Sequence, residues 1–240
     1  MDSEEDVEMA LLETTPKKKS PTKKKKKDPG PLKNSNKGNW VAKPSTPEDM
    51  GSYWTEETST AKRLLQFIAR WPPSRTPNSY GPWITIYRGT GSKSRESKTE
   101  PNIEGLKADF EALLAAKPAD ATIKQEQLDE IAKANNVLLG KWMVFIEPEK
   151  VDLLWGKVAH FLIMDWKKGV AKVSTYREEE KHVIEVFVDD YTNMEEVEAV
   201  RKKLKGLGVK WKCGLKPDAY THLNIYQGNP WNIKPSRYSE

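Results

Sequence analysis

The stretch 139–175, LGKWMVFIEPEKVDLLWGKVAHFLIMDWKKGVAKVST, leaves the chain few ways to fold. Its first run, 142–146, is apolar on both pleat faces, with Trp142, Val144 and Ile146 on one and Met143 and Phe145 on the other. Pro148 stops a strand and suits the first turn of a helix. Val151, Leu154, Trp155, Val158, Phe161 and Leu162 then recur at three-four spacing, which is one apolar stripe. Lys167, Lys168 and Gly169 make a turn, and 170–175 re-enters as a β-prone segment. The pattern predicts a half-buried sheet with a helix lying across it. Such an architecture carries no chemistry by itself.

The flanking segments extend this unit. Thr55 or Thr58 is placed to cap a helix with Ala61, Leu64, Leu65 and Ile68 on one face, ended by Pro72 and Pro73. A strand is expected over 83–87, then a polar loop over 88–102, then a helix over 103–116 with Ile103, Leu106, Phe110, Leu113 and Leu114 inward. Thr122 with Gln125 resembles a capping box for a shorter helix carrying Leu128, Ile131 and Ala132. Beyond the central unit, 182–188 reads as a strand. Thr192 and Glu195 then read as a capping box for a helix with Met194, Val197, Val200 and Leu204 inward, ended by Gly206 or Gly208. Two last strands are expected over 209–213 and 220–226, followed by an aromatic-bearing arm over 229–238. Strands and helices that do not alternate regularly predict an α+β fold with an antiparallel sheet.

Charge separates the chain into two parts. Residues 1–47 hold 11 Lys against 7 Asp and Glu, leaving 29 basic and 28 acidic residues for 48–240. The basic pI therefore belongs mostly to the first 47 residues, which lack apolar periodicity and are expected to be a disordered tail ahead of a single domain, 48–240. Lys17, Lys18 and Lys19, and Lys23, Lys24, Lys25, Lys26 and Lys27, form two clusters that suit a nuclear import receptor or nucleic-acid phosphates. A lone cysteine, Cys213, excludes an intrachain disulfide framework and fits a reducing compartment. No apolar run has the length of a membrane span. The expectation is an intracellular protein, cytoplasmic with access to the nucleus.

The pieces QFIARWPPS, GPWITIY, LLGKWMVFIEPEKVDLLWGKVA, VAKVS and KPDAYTHLNIYQGNPWNIKPSRY resemble the family of basophilic-leukaemia-expressed protein, a eukaryotic family of unknown function. That family is assigned to the superfamily typified by cap-binding translation initiation factor 4E. The resemblance implies a curved antiparallel sheet with helices on its convex side. Cap recognition needs two aromatic walls for the methylated base and a carboxylate for its edge. This chain has no Phe, Tyr or Trp between Phe110 and Trp142 and no Trp-Glu pair, so cap binding in the familiar geometry is not expected.

An enzyme is not expected either. His160, His182 and His222 lack metal-ligand spacing, no cofactor or phosphate-cradling motif is present, and Cys213 has no sequence-placed activating partner. The first functional expectation is a binding module for single-stranded RNA or a nucleotide. Its candidate aromatic residues are Trp83, Trp211, Tyr220, Tyr226 and Trp231. Its candidate cations are Lys172 and Lys216 with the loop residues Arg88, Lys93, Arg95 and Lys98. The alternative is a protein–protein adaptor whose Lys-rich tail serves only import. In either case, whatever the helices leave uncovered on the sheet must be covered by the 229–238 arm, a partner or a ligand.

Overall fold

A computed structural model describes residues 60–88, 100–116, 122–178 and 180–240. The expected disordered tail and Lys clusters, the caps at Thr55 and Thr58, and Lys93, Arg95 and Lys98 lie outside these residues. Five longer helices, α1 (Ala61–Arg70), α2 (Ile103–Ala115), α3 (Gln125–Ala134), α4 (Pro148–His160) and α5 (Met194–Gly206), and a short α6 (Asp218–His222) accompany six strands. The strands are β1 (Trp83–Tyr87), β2 (Gly140–Ile146), β3 (Val170–Ser174), β4 (His182–Val188), β5 (Gly214–Pro217) and β6 (Tyr238–Ser239). They form one sheet in the order β1-β3-β4-β2-β5-β6 with every ladder antiparallel. The fold is α+β, as expected.

Strand parity divides the sheet into two faces. Trp142 stands opposite Val186 and Leu215, Val144 opposite Ile184, and Ala171 and Val173 opposite Ile86 and Ile84. All of these are buried, and α4 lays Val151, Leu154, Trp155 and Val158 against the same core. Pro148 occupies the first turn of α4, where its missing N–H is not needed. The helix runs on into a π-helical turn, Phe161–Trp166, closed by Lys167 and Gly169 at φ +56° and +93°. Helix α5 joins the same face, where the Trp142 indole donates to the Val197 carbonyl at 3.1 Å. Asp152 of α4 accepts both the Ser74 amide (2.9 Å) and the Ser74 hydroxyl (2.6 Å), which holds the segment after α1 onto the helix layer.

Gly140 has no room for a side chain. An added Cβ would lie 2.7 Å from the Tyr191 Cβ and 3.2 Å from Leu215 Cδ2. Gly140→Ala is therefore expected to cost about 1–3 kcal/mol through overpacking, read as a lower urea midpoint at unchanged m-value. A midpoint equal to that of the wild type would show that β2 and the Tyr191 turn separate easily.

Several local expectations differ from the structure. Leu65 is exposed because α1 turns Leu64, Phe67 and Ile68 inward, and Leu65 lies about 100° round from Leu64. Met194, one turn short of the first buried residue Val197, is also exposed. The α3 cap falls two residues later than Thr122, with Gln127 Oε1 accepting from the Lys124 amide. The α5 cap is Asn193, one residue after Thr192. Residues 209–213 form no strand, because the Val209 and Trp211 carbonyls are taken by the Arg201 guanidinium. The segment 220–226 is not a strand either. Ala219, Tyr220 and Leu223 are buried at helical spacing, and Asn224 closes the turn at φ +55°. The arm does not lie across the sheet. Trp231 packs edge-to-face on Phe110, Ile233 enters the core, Gln125 donates to the Lys234 and Ser236 carbonyls, and Tyr238 pairs with Leu215 as β6.

Candidate functional site

The other parity of the same strands builds a second, chemically different face. Thr85, Lys172, Glu185, Met143 and Gly214 form one cross-strand row over five strands. Phe187, Lys141 and Lys216 form the next row. Asp218, two residues past Lys216, keeps the same parity, and Tyr226 from the turn after α6 covers the Lys216 ammonium at 3.4 Å from its ring centroid. Phe187 lies between two ammonium groups, Lys141 at 5.6 Å and Lys172 at 5.9 Å from its centroid. Farther along the face Phe145 is 56% exposed, and Met143, Trp83 and Phe187 are half-buried.

The charges in this face are buried. Lys141, Glu185 and Lys216 are 5%, 6% and 3% exposed. Lys141 Nζ lies 3.3 Å from Asp218 Oδ1 and 3.7 Å from Glu185 Oε2. Burial opposes the Lys141 charge, but Glu185 and Asp218 outweigh it and raise its pKa. Burial likewise raises the Glu185 carboxyl, with Lys141 opposing. Lys216 differs. No carboxylate of the described residues comes within ion-pair distance of it, and it stands directly opposite Lys141 on β2. Burial first and Lys141 second push its pKa down to about 7, against the longer-range pull of Glu185 and Asp218.

Of the candidates named from sequence, Lys172, Lys216, Tyr226 and Trp83 share this face. Arg88 is buried at the end of β1, its amide on the Gly169 carbonyl. Tyr220 is fully buried and presents no surface for stacking, which removes it as a ligand-facing residue. Trp231 is committed to Phe110, and Trp211 lies in the loop between α5 and β5 with its carbonyl on Arg201. The sequence reading missed Lys141, Glu185, Phe187 and Asp218. Their signal was present as charges at the centres of otherwise apolar strands, GKWMVFI and HVIEVFV. Among the described residues no group of three or more His, Cys, Asp or Glu is arranged to hold a metal ion. No helix of the described residues is long and apolar enough to cross a membrane.

The fold and the site together define a helix-backed antiparallel sheet with a lysine-bearing, aromatic outer face. Residues 117–224, which carry β2 to α6, match the family model of basophilic leukemia-expressed protein Bles03, the family that the sequence pieces resemble. Among solved structures, that of a schistosome eIF4E complexed with m7GpppA and 4E-BP matches with a TM-score of 0.35 at 16% identity, covering 55% of this chain and 80% of its own.

Proposed function

We propose that the chain is a non-enzymatic binding module whose outer sheet face takes an anionic, base-bearing ligand, single-stranded RNA or a nucleotide. The observation that carries this reading is the half-buried Lys172 ammonium beside the Phe187 ring, with the half-buried Trp83 and Tyr226 rings on the same side of the sheet. Stacking platforms beside ammonium groups suit bases and phosphates without demanding a sequence. The Lys17–Lys27 clusters add electrostatic affinity or engage an import receptor, which gives the chain access to the nucleus.

The test is single-stranded RNA binding by the full chain at two salt concentrations, beside Lys172→Ala, Tyr226→Ala and a variant with the eight clustered lysines replaced. Removing a charge-assisted phosphate interaction or a stacking ring is expected to weaken binding by about tenfold. Replacing the clusters is expected to flatten the salt dependence by ~0.7 in log–log slope for each phosphate that the lysines no longer neutralise. Binding that disappears with the clusters, and is untouched by Lys172→Ala and Tyr226→Ala, would remove RNA from the sheet face.

The adaptor reading has one observation in its favour. Leu65 of α1 and Leu153 of α4 are 67% and 69% exposed on helices that pack against each other, with Ile68 against Gly156.

A further inference from the structure

Two buried lysines placed directly opposite each other in an antiparallel ladder are an unusual arrangement, because like charges at that spacing repel. The local acids do not resolve it evenly. Asp218 and Glu185 both lie on Lys141, and the ammonium of Lys216 is left with the face of Tyr226 as its close neighbour. A desolvated amine beside a second cation is the arrangement that makes a lysine nucleophilic near neutral pH. The groups acting on it are Lys141 from β2, Glu185 from β4 and Asp218 at the start of α6, with Tyr226 from the turn beyond.

We propose that Lys216 is a covalent capture site for small aldehydes, held as an imine on its Nζ beside Tyr226. The neutral amine attacks the carbonyl carbon, forming the C–N bond while the C=O π pair moves to oxygen. That oxygen takes one amine hydrogen and then leaves with the second as water, so the step needs no oxidant or reductant. Access is through Tyr226, which is half-buried and closes over the Lys216 ammonium. The site goes beyond the RNA reading and does not depend on it, since reversible imine formation can occur with or without RNA binding.

The experiment treats the full chain with pyridoxal 5′-phosphate, reduces the imine with borohydride and maps the label by peptide mass spectrometry between pH 6 and 9. Lys216 is expected to label at least about tenfold faster at pH 7 than exposed lysines, because about half of it is neutral there. Its labelling should level off above pH 7, whereas exposed lysines keep gaining rate towards pH 10. Tyr226→Ala should speed labelling, and Lys141→Met should move the midpoint to higher pH by removing the opposing cation. Lys216→Arg keeps a cation and is expected to abolish this label alone. A reduced adduct confined to exposed lysines in the wild type overturns the proposal. RNA binding measured on the same samples reports separately on the sheet-face reading.

Discussion

Arg201→Ala is expected to cost about 3–5 kcal/mol of stability, because the side chain donates to three backbone oxygens of two segments. Arg201 is 1% exposed. Its Nη1 donates to the Val209 carbonyl at 2.9 Å, and its Nη2 donates to the backbone oxygens of Trp211 at 2.8 Å and Glu240 at 2.9 Å. The guanidinium also lies 5.7 Å from the Trp142 ring centroid, so it bridges α5, the loop before β5 and the centre of the sheet. Alanine would take a donor from three backbone oxygens, of which Glu240 keeps the Cys213 amide at 2.7 Å, and open a space beside Trp142. In a chain of this size the loss should lower Tm by roughly 8–15 °C. Arg201→Lys separates charge from geometry, since an ammonium cannot reproduce the planar fork. The lysine variant should recover less than half of the loss. Recovery to wild-type Tm would mean that the charge alone, and not the three-way bridge, holds this loop.

The Arg201 bridge also explains where the sequence misleads. The alternation of Val209, Trp211 and Cys213 with lysines reads as a strand, and period two is the correct signal for one. A buried arginine eight residues upstream claims the carbonyls that a ladder would need, and sequence periodicity carries no information about that. Tyr220 to Tyr226 fails for a different reason, because a five-residue helix and a two-residue alternation cannot be told apart over so short a run. The central stretch was legible because its signals agree. Both faces of 142–146 are apolar, Pro148 stands at a helix start, and six residues from Val151 to Leu162 fall on one stripe that is buried throughout. The outer face was only half legible. Lys172, Lys216, Tyr226 and Trp83 stand out as residue types, but what makes them a site is register. The opposition of Lys141 and Lys216 depends on how β2 and β5 pair across 75 residues, which depends in turn on the β4–β2–β5 order. The apolar core tolerates many sequences, whereas a buried lysine pair is informative only once its partner is known.

Lys216→Met is expected to stabilise the protein below neutral pH, by about 1–4 kcal/mol at pH 6, and to lose that advantage as the pH rises. In the folded state burial and Lys141 hold the Lys216 pKa at about 7, whereas an unfolded lysine titrates from its ordinary value of 10.5. Below pH 7 both states carry the proton, and the folded state bears the full cost of a buried ammonium. Between about 7 and 10 the unfolded state binds the extra proton, so wild-type stability rises with pH by up to ~1.4 kcal/mol per unit relative to the methionine variant. Glu185 loses one of its cations in the variant, which raises its carboxyl further. The slope across pH 7–10, and not the offset at one pH, is therefore the quantity to compare by urea unfolding. A difference that stays flat from pH 6 to 10 would mean that Lys216 remains charged throughout, and the imine chemistry proposed for it would fail with it. A falling difference would identify a residue that weakens the fold near neutral pH where methionine would strengthen it. Proteins tolerate such a cost at sites where activity requires the destabilising group. That links the energetics of the outer face to its use: the same burial that makes Lys216 costly to protonate makes it reactive, and the helix-packed face beneath supplies the rigidity that holds it there.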